Sequence, residues 1–324
     1  MNKKITFVLV LALAAFLVMG SASAGLFDFL GGGGDNTVKI GYLPSDHDAA
    51  LFVADAQGKF AEKNITTELV QFNNGGDLMT AMASGEVDVG YVGIAPVLSS
   101  VEKGVPVKVI SSAQTEGSGI VVTDESGIIS AADLKGKSIA TPGEASIQNV
   151  LLTYYLKENG LSADDLNISA MKVPSMNDAL KTKQIDGIVT FQPYVSIAAN
   201  VSGNHVLADS EEILPNHPCC VVVASDDFIK NHEDTVKDII SIHEAATKFI
   251  NDNIEAGDAD KVVKLLPEDI VSDASLEADS LQSFPFISGI DNTFKADVDA
   301  FQKLEVDVGI LNSTVSHDKL YWEA

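Results

Sequence analysis

The sequence predicts an α/β protein built from two similar lobes, and three observations carry that expectation. Strand and helix patterns alternate strictly from residue 38 onward, as parallel α/β layers require. One device occurs twice: Gly85-Glu86-Val87-Asp88-Val89-Gly90-Tyr91-Val92-Gly93-Ile94-Ala95-Pro96 resembles Lys183-Gln184-Ile185-Asp186-Gly187-Ile188-Val189-Thr190-Phe191-Gln192-Pro193. In each copy a helical run turns into a short apolar strand that opens at an Asp and hands over to a helix near a Pro. The alternation also starts afresh after residue 123, so the middle of the chain reads as one lobe inserted into another.

Taken in order, 38–42 is a first strand, 44–47 its loop, and about 48–57 a helix stopped by Gly58. A second strand covers 67–72. The loop 73–77 is placed to cap a helix over 78–84, and 87–91 is the third strand. A helix over 95–103 ends at Gly104, and 107–114 is a further buried strand. In the restarted pattern 137–141 is a strand, 142–146 a loop, 147–159 a helix closed by Gly160, and 168–173 a strand. Segments 206–209 and 220–225 complete it. The expected organisation is lobe one over 38–123, lobe two over 124–220, two crossing strands as the hinge, and a mostly helical return to lobe one over 221–324.

Bulk properties bound the function. The 324 residues are 46% apolar, ample for packed cores. Lys3 and Lys4 precede an apolar run over 5–19 and the small residues 20–24, which reads as a secretory signal cleaved near Ala24. The run is shorter than the roughly 20 residues of a spanning helix; a retained anchor is the alternative. A glycine-rich spacer at 25–37 precedes the folded body. The protein is therefore expected outside the cytoplasm. The net charge is −25, and −27 once the two signal lysines are gone, so nucleic acid and anionic lipid are poor partners. Every basic side chain other than His is a Lys; the sequence holds no Arg. An anion bound here must be held by backbone amides, helix ends, hydroxyls, Gln/Asn or Lys rather than by a guanidinium fork.

Five segments then carry a family resemblance: "VKIGYLPSDHDAALFVADAQGKFAEKNI", "LMTAMASGEVDVGYVGIAP", "AADLKGKSIATPGEASIQNVLLTYYLKENGL", "QIDGIVTFQPYV" and "CCVVVASDDFIKNHEDTVKDII". In this order they resemble the solute-binding proteins of ABC importers, in the group serving nitrate, sulfonate, taurine and bicarbonate that includes thiamine-precursor binders. The resemblance implies a two-lobed type II periplasmic-binding-protein fold, closure on a small oxyanion or organic sulfonate, delivery to a permease with a cytoplasmic ATPase, a monomer, and no cofactor or catalysis. Two alternatives come with it: capture of a thiamine-type pyrimidine precursor, or an enzyme resembling the thiamine-pyrimidine synthases.

Mapped onto this chain, the family's ligand loops give Ser45, Asp46 and His47 after strand one, Asn74 and Gly75 after strand two, and Tyr91 and Gly93 at the first device. In lobe two they give Thr141, Gly143, Glu144 and Ser146, then Phe191, Gln192 and Tyr194 at the second device. The carboxyl ends of strands are the same places that scaffold reasoning selects. Ser45-Asp46-His47-Asp48 is either a ligand loop or a helix cap with a satisfied His. Tyr91, Phe191 and Tyr194 either floor the pocket or fill the core. His217-Pro218-Cys219-Cys220 holds both cysteines, read as small buried strand residues or as pocket lining, with Cys219 taken as the site residue. In the related synthases a Cys-rich run near this position is linked to iron; with two cysteines, no metal is expected here. Phosphate-loop, Rossmann, G-x-S-x-G and H-E-x-x-H patterns are absent, and four glycosylation sequons begin at Asn64, Asn167, Asn200 and Asn312.

Overall fold

The structure is a computed structural model that describes residues 37–323. The expected signal at 1–24 and spacer at 25–37 lie outside those residues, Thr37 excepted. The strands are β1 (Thr37–Tyr42), β2 (Thr66–Gln71), β3 (Val89–Gly93), β4 (Val107–Thr115), β5 (Ser118–Thr123), β6 (Ser138–Thr141), β7 (Asn167–Ala170), β8 (Gly187–Phe191), β9 (Asn204–Asp209), β10 (Pro218–Ser225) and β11 (Phe286–Gly289). They form two sheets, ordered β11-β4-β10-β3-β1-β2 and β7-β6-β8-β5-β9. The principal helices are α1 (Ala49–Ala56), α2 (Gly75–Ser84), α3 (Ile94–Glu102), α4 (Ile147–Glu158), α5 (Val173–Lys181), α6 (Tyr194–Ala199), α7 (Glu233–Glu255), α8 (Ala274–Leu281) and α9 (Asn292–Asp307).

The two sheets share one wiring. β1 pairs parallel to β3, and β6 parallel to β8. The next neighbour is antiparallel in both, β10 beside β3 and β5 beside β8. The duplicated device explains the match. Asp88 Oδ2 accepts from Lys39 N at 2.9 Å while Asp88 N donates to Lys39 O at 3.0 Å. Asp186 repeats this on Ser138, with Oδ2 accepting from Ser138 N and its own N–H donating to Ser138 O, both at 2.8 Å. An Asp just before each central strand thus locks that strand's start to the parallel strand beside it, β1 or β6, supplying an acceptor that a ladder end otherwise lacks.

Local structure departs from sequence expectation in three places. Helix α2 begins at Gly75 rather than 78, because Asn74 caps it by accepting from Asp77 N at 2.9 Å. Strand β7 stops at Ala170, and Pro174 in the first turn of α5 starts a helix where more strand was expected. The tail carries a strand of its own, β11, on the edge beside β4.

The chain changes sheet at Glu116-Gly117, so the strand at 118–123 belongs to the second sheet together with β9. It returns after β9 through a short helix, Ser210–Ile213, into β10. Glu116 ties the two crossings: Oε2 accepts from Ser210 Oγ at 2.7 Å, Oε1 accepts from Asn216 N, and His217 Nδ1 lies 3.2 Å from Oε2. Among the described residues, no helix is long and apolar enough to cross a membrane.

Candidate functional site

Strand β1 ends in a loop that turns back under the site. Ser45 accepts from His47 N at 3.1 Å, which starts a single 3-10 turn over Asp46–Asp48. Its hydroxyl also donates to Gln192 O at 2.7 Å, joining this loop to the second device in the other sheet. His47 Nε2 donates to Gly117 O at 3.2 Å, a contact that needs glycine. A Cβ at Gly117 would stand 2.4 Å from His47 Nε2, and its φ of 77° is left-handed.

Above this loop lies a cavity of about 320 Å³, and three helix N-termini open on it. Asn74, Gly75 and Gly76 come from α2, Gly93 and Pro96 from α3, and Ser146, Ile147 and Gln148 from α4. Gly93 has no side chain to cap α3, so that helix end faces the cavity with its N–H groups uncommitted to a side chain. Gly75 permits α2 to reach this close, since a Cβ there would meet Pro96 Cγ at 2.7 Å. No Lys is among the lining residues; the polar surface is backbone amide, hydroxyl, Asn74, Gln148, His47, the two thiols and acid. Leu43, Pro96, Ala145, Ile147, Ala170 and Phe191 make much of the wall apolar. Oriented N–H groups at helix starts attract anions without a positive side chain.

The floor is chemically unusual. Burial raises Asp48 to about 8 against the Leu43 N–H that its Oδ2 accepts at 2.9 Å, so its carboxyl is largely protonated at neutral pH. Burial likewise raises Asp46 to about 6, opposed by His47 and by Ser280 Oγ, which donates to Oδ2 at 2.6 Å. Burial disfavours the His47 cation, but Cys219 and then Asp46 and Asp48 outweigh it and raise its pKa. The hydrogen bond from Cys220 holds Cys219 well below the usual thiol range despite its burial, with His47 assisting. Cys220, as the donor of that bond and buried, is held well above it. At His217 burial also opposes the charge, while Cys219 and the Glu116 carboxylate overcome it and raise the ring to about 9.

Of the positions singled out in sequence, the cavity brings together Ser45, His47, Asn74, Gly75, Gly93, Gly143, Glu144, Ser146, Phe191 and Cys219. Five others face elsewhere. Asp46 turns to Ser280 of α8. The Tyr91 hydroxyl lies 3.3 Å from His243 Nδ1 on α7, away from the cavity. Thr141 is buried at the end of β6. Gln192 caps α6 by accepting from Ser196 N at 3.1 Å and donates to Ser283 at 3.2 Å, lining a separate polar pocket. Tyr194 stands in the first turn of α6, edge-on to Phe191 at 5.9 Å. Sequence reasoning missed Gln148 as lining, and missed the tail's support altogether: Ser280, Ser283 and Phe284, the last 4.7 Å from the His47 ring. No local pattern marks those three.

Paired sheets with this wiring, and a cavity at the carboxyl ends of their central strands, define the periplasmic-binding-protein fold. The alkanesulfonate-binding protein SsuA of Xanthomonas axonopodis pv. citri, solved with MOPS bound, superposes with a TM-score of 0.77 at 21% identity, covering 89% of this chain and 99% of that one. Residues 31–266 match the NMT1-like family, and the chain belongs to that family. It is similar to the taurine-binding periplasmic protein of Escherichia coli K12, 30% identical over 205 residues and 62% of each chain. It is also similar, over 137 residues at 34% identity, to the 4-amino-5-hydroxymethyl-2-methylpyrimidine phosphate synthase of Aspergillus parasiticus, a match spanning 40% of this chain and 39% of that enzyme.

Proposed function

We propose that this protein is the extracytoplasmic solute-binding component of an ABC importer, that it performs no catalysis, and that its cargo is a small organic sulfonate held between two lobes. The single observation that carries the reading is the convergence of the α2, α3 and α4 N-termini on one cavity lined by no Lys. A sulfonate presents three oxygens to such N–H groups and needs no guanidinium. The apolar wall supports an organic tail over nitrate or bicarbonate, which would leave most of about 320 Å³ unfilled. Both the taurine-binding and the alkanesulfonate-binding relatives favour the same class. The lobes are taken as the two sheets with their helices, hinged at Glu116-Gly117 and at the return after Ser210. Micromolar capture requires about −8 kcal/mol, within reach of several charge-assisted hydrogen bonds plus apolar burial.

A thermal-shift panel of alkanesulfonates, taurine, nitrate and bicarbonate tests this. A ligand that binds only the folded form at 100 times its Kd adds about 2.7 kcal/mol, so an alkanesulfonate or taurine is expected to raise Tm by several degrees. No shift from any sulfonate at millimolar concentration would remove the reading, and a shift from nitrate or bicarbonate alone would replace the organic cargo with an inorganic one.

A further inference from the structure

Cys219 and Cys220 are neighbours in β10, and in a regular strand neighbouring side chains point to opposite faces. Here the ladder with β4 slips: Pro218 pairs with Thr115 and Cys220 with Gln114, leaving Cys219 as the extra residue of a bulge. The bulge turns both thiols toward one imidazole. Cys219 Sγ and Cys220 Sγ each lie 3.8 Å from His47 Nδ1 and 4.0 Å from one another. A tetrahedral ion with bonds of about 2.3 Å to sulfur and about 2.0–2.1 Å to nitrogen sets its donors roughly 3.5–3.8 Å apart. The observed triangle is within a few tenths of an ångström of that face.

The imidazole is oriented for the task. Its Nε2–H is spent on Gly117 O at 3.2 Å, which aims Nδ1 at both sulfurs, the outer-shell arrangement typical of metal-binding His. His47 and both cysteines line the cavity, as does Asp48, whose Oδ1 is buried without a partner. We propose that His47, Cys219 and Cys220 form a three-donor site for a thiophilic d10 cation of the Zn²⁺ class, with its fourth coordination position facing the cavity. On binding, the cation displaces two protons from the set of Cys219, Cys220 and His47, and those protons leave to solvent; two thiolates, a neutral imidazole and a dication then make a neutral buried unit. Only a soft or borderline ion suits two sulfurs and one nitrogen, so Ca²⁺ and Mg²⁺ are excluded from the site.

This inference stands on the floor of the cavity and is independent of the sulfonate reading. The test is titration of the reduced protein with Co²⁺ as a spectroscopic probe, followed by Zn²⁺. One equivalent of Co²⁺ is expected to give a near-ultraviolet thiolate charge-transfer band with tetrahedral visible bands, and Zn²⁺ to bleach both. Cys219→Ser and Cys220→Ser should each weaken the charge-transfer band, and His47→Gln should weaken Co²⁺ binding by about tenfold or more. Gly117→Ala is a second variant, which pushes on His47 without removing a donor and should also weaken binding, while His317→Ala, at a distant exposed pair with Asp299, should bind as the parent does. A featureless titration of the reduced, folded protein, or bands that survive Cys219→Ser/Cys220→Ser, would overturn the proposal. Running the sulfonate panel in chelator separates the two readings, because anion capture there proceeds without the cation.

Discussion

Two buried side chains set opposite responses to pH. His243 on α7 is held neutral by burial, at about 4, with its Nε2–H donating to Ser112 O at 2.8 Å. The unfolded chain binds a proton there near 6.5 and the folded chain does not until about 4, so His243 contributes stability above 6.5 that is lost as pH falls from 6.5 to 4. The loss is about 3 kcal/mol, and it should be absent in His243→Gln melts across that window. Glu305 on α9 runs the other way. Burial, aided by Glu102, raises it to about 9, and neither of its carboxyl oxygens has a partner. Its folded form is protonated where the unfolded form ionises, so stability present below about 4.5 is lost as pH rises toward 9. Glu305→Gln is therefore expected to stabilise the protein at pH 7 by up to about 3 kcal/mol and not at pH 4. A Tm unchanged at both pH values would contradict the burial argument. Neither residue was legible in sequence as special, because a His or Glu on an amphipathic helix becomes buried only through packing with distant segments. The loop residues Ser45, His47 and Asn74 were legible, since they follow strands and precede helices, the positions where side chains both cap and face ligands.

Among elements, the helix starts matter most to the site. Asn74 fixes where α2 begins, and Asn74→Ala should cost about 1 kcal/mol in a thermal or chemical melt while weakening anion binding more than a surface cap loss would. Equal binding by Asn74→Ala would mean that the α2 terminus lies outside the ligand's reach. The strands and helices of the two repeated halves could be read because glycine stops, apolar alternation and the Asp-strand-helix device are local signals. Tyr91 and Gln192 could not be assigned by the same means. Their position at strand ends is local, but which face each side chain takes depends on register, and both turn toward later helices: Tyr91 to α7, Gln192 to the first turn of α6. Strand β11 escaped notice for a similar reason. Its four residues gain strand character only by pairing with β4, more than 170 positions earlier.

At the scale of the whole molecule, two sheets of one wiring place helix N-termini on a common cavity, and the tail braces the loop beneath it through Ser280 and Phe284 and the second device through Ser283. The duplicated device announced that symmetry from sequence, whereas the brace joins residues more than 200 positions apart, such as Ser280 and Asp46, and has no local signature. The site's electrostatics follow from the same assembly: in a strongly acidic chain, burial keeps Asp48 beneath the cavity largely protonated at neutral pH, and backbone dipoles are the groups placed to receive an anion. The most direct test is a crystal structure with an alkanesulfonate bound. The sulfonate oxygens should lie within hydrogen-bond distance of the N–H groups that open α2, α3 and α4, with the alkyl chain against Ile147 and Phe191. A sulfonate bound elsewhere, or one held in the cavity by a Lys side chain and not by those helix starts, would contradict the account.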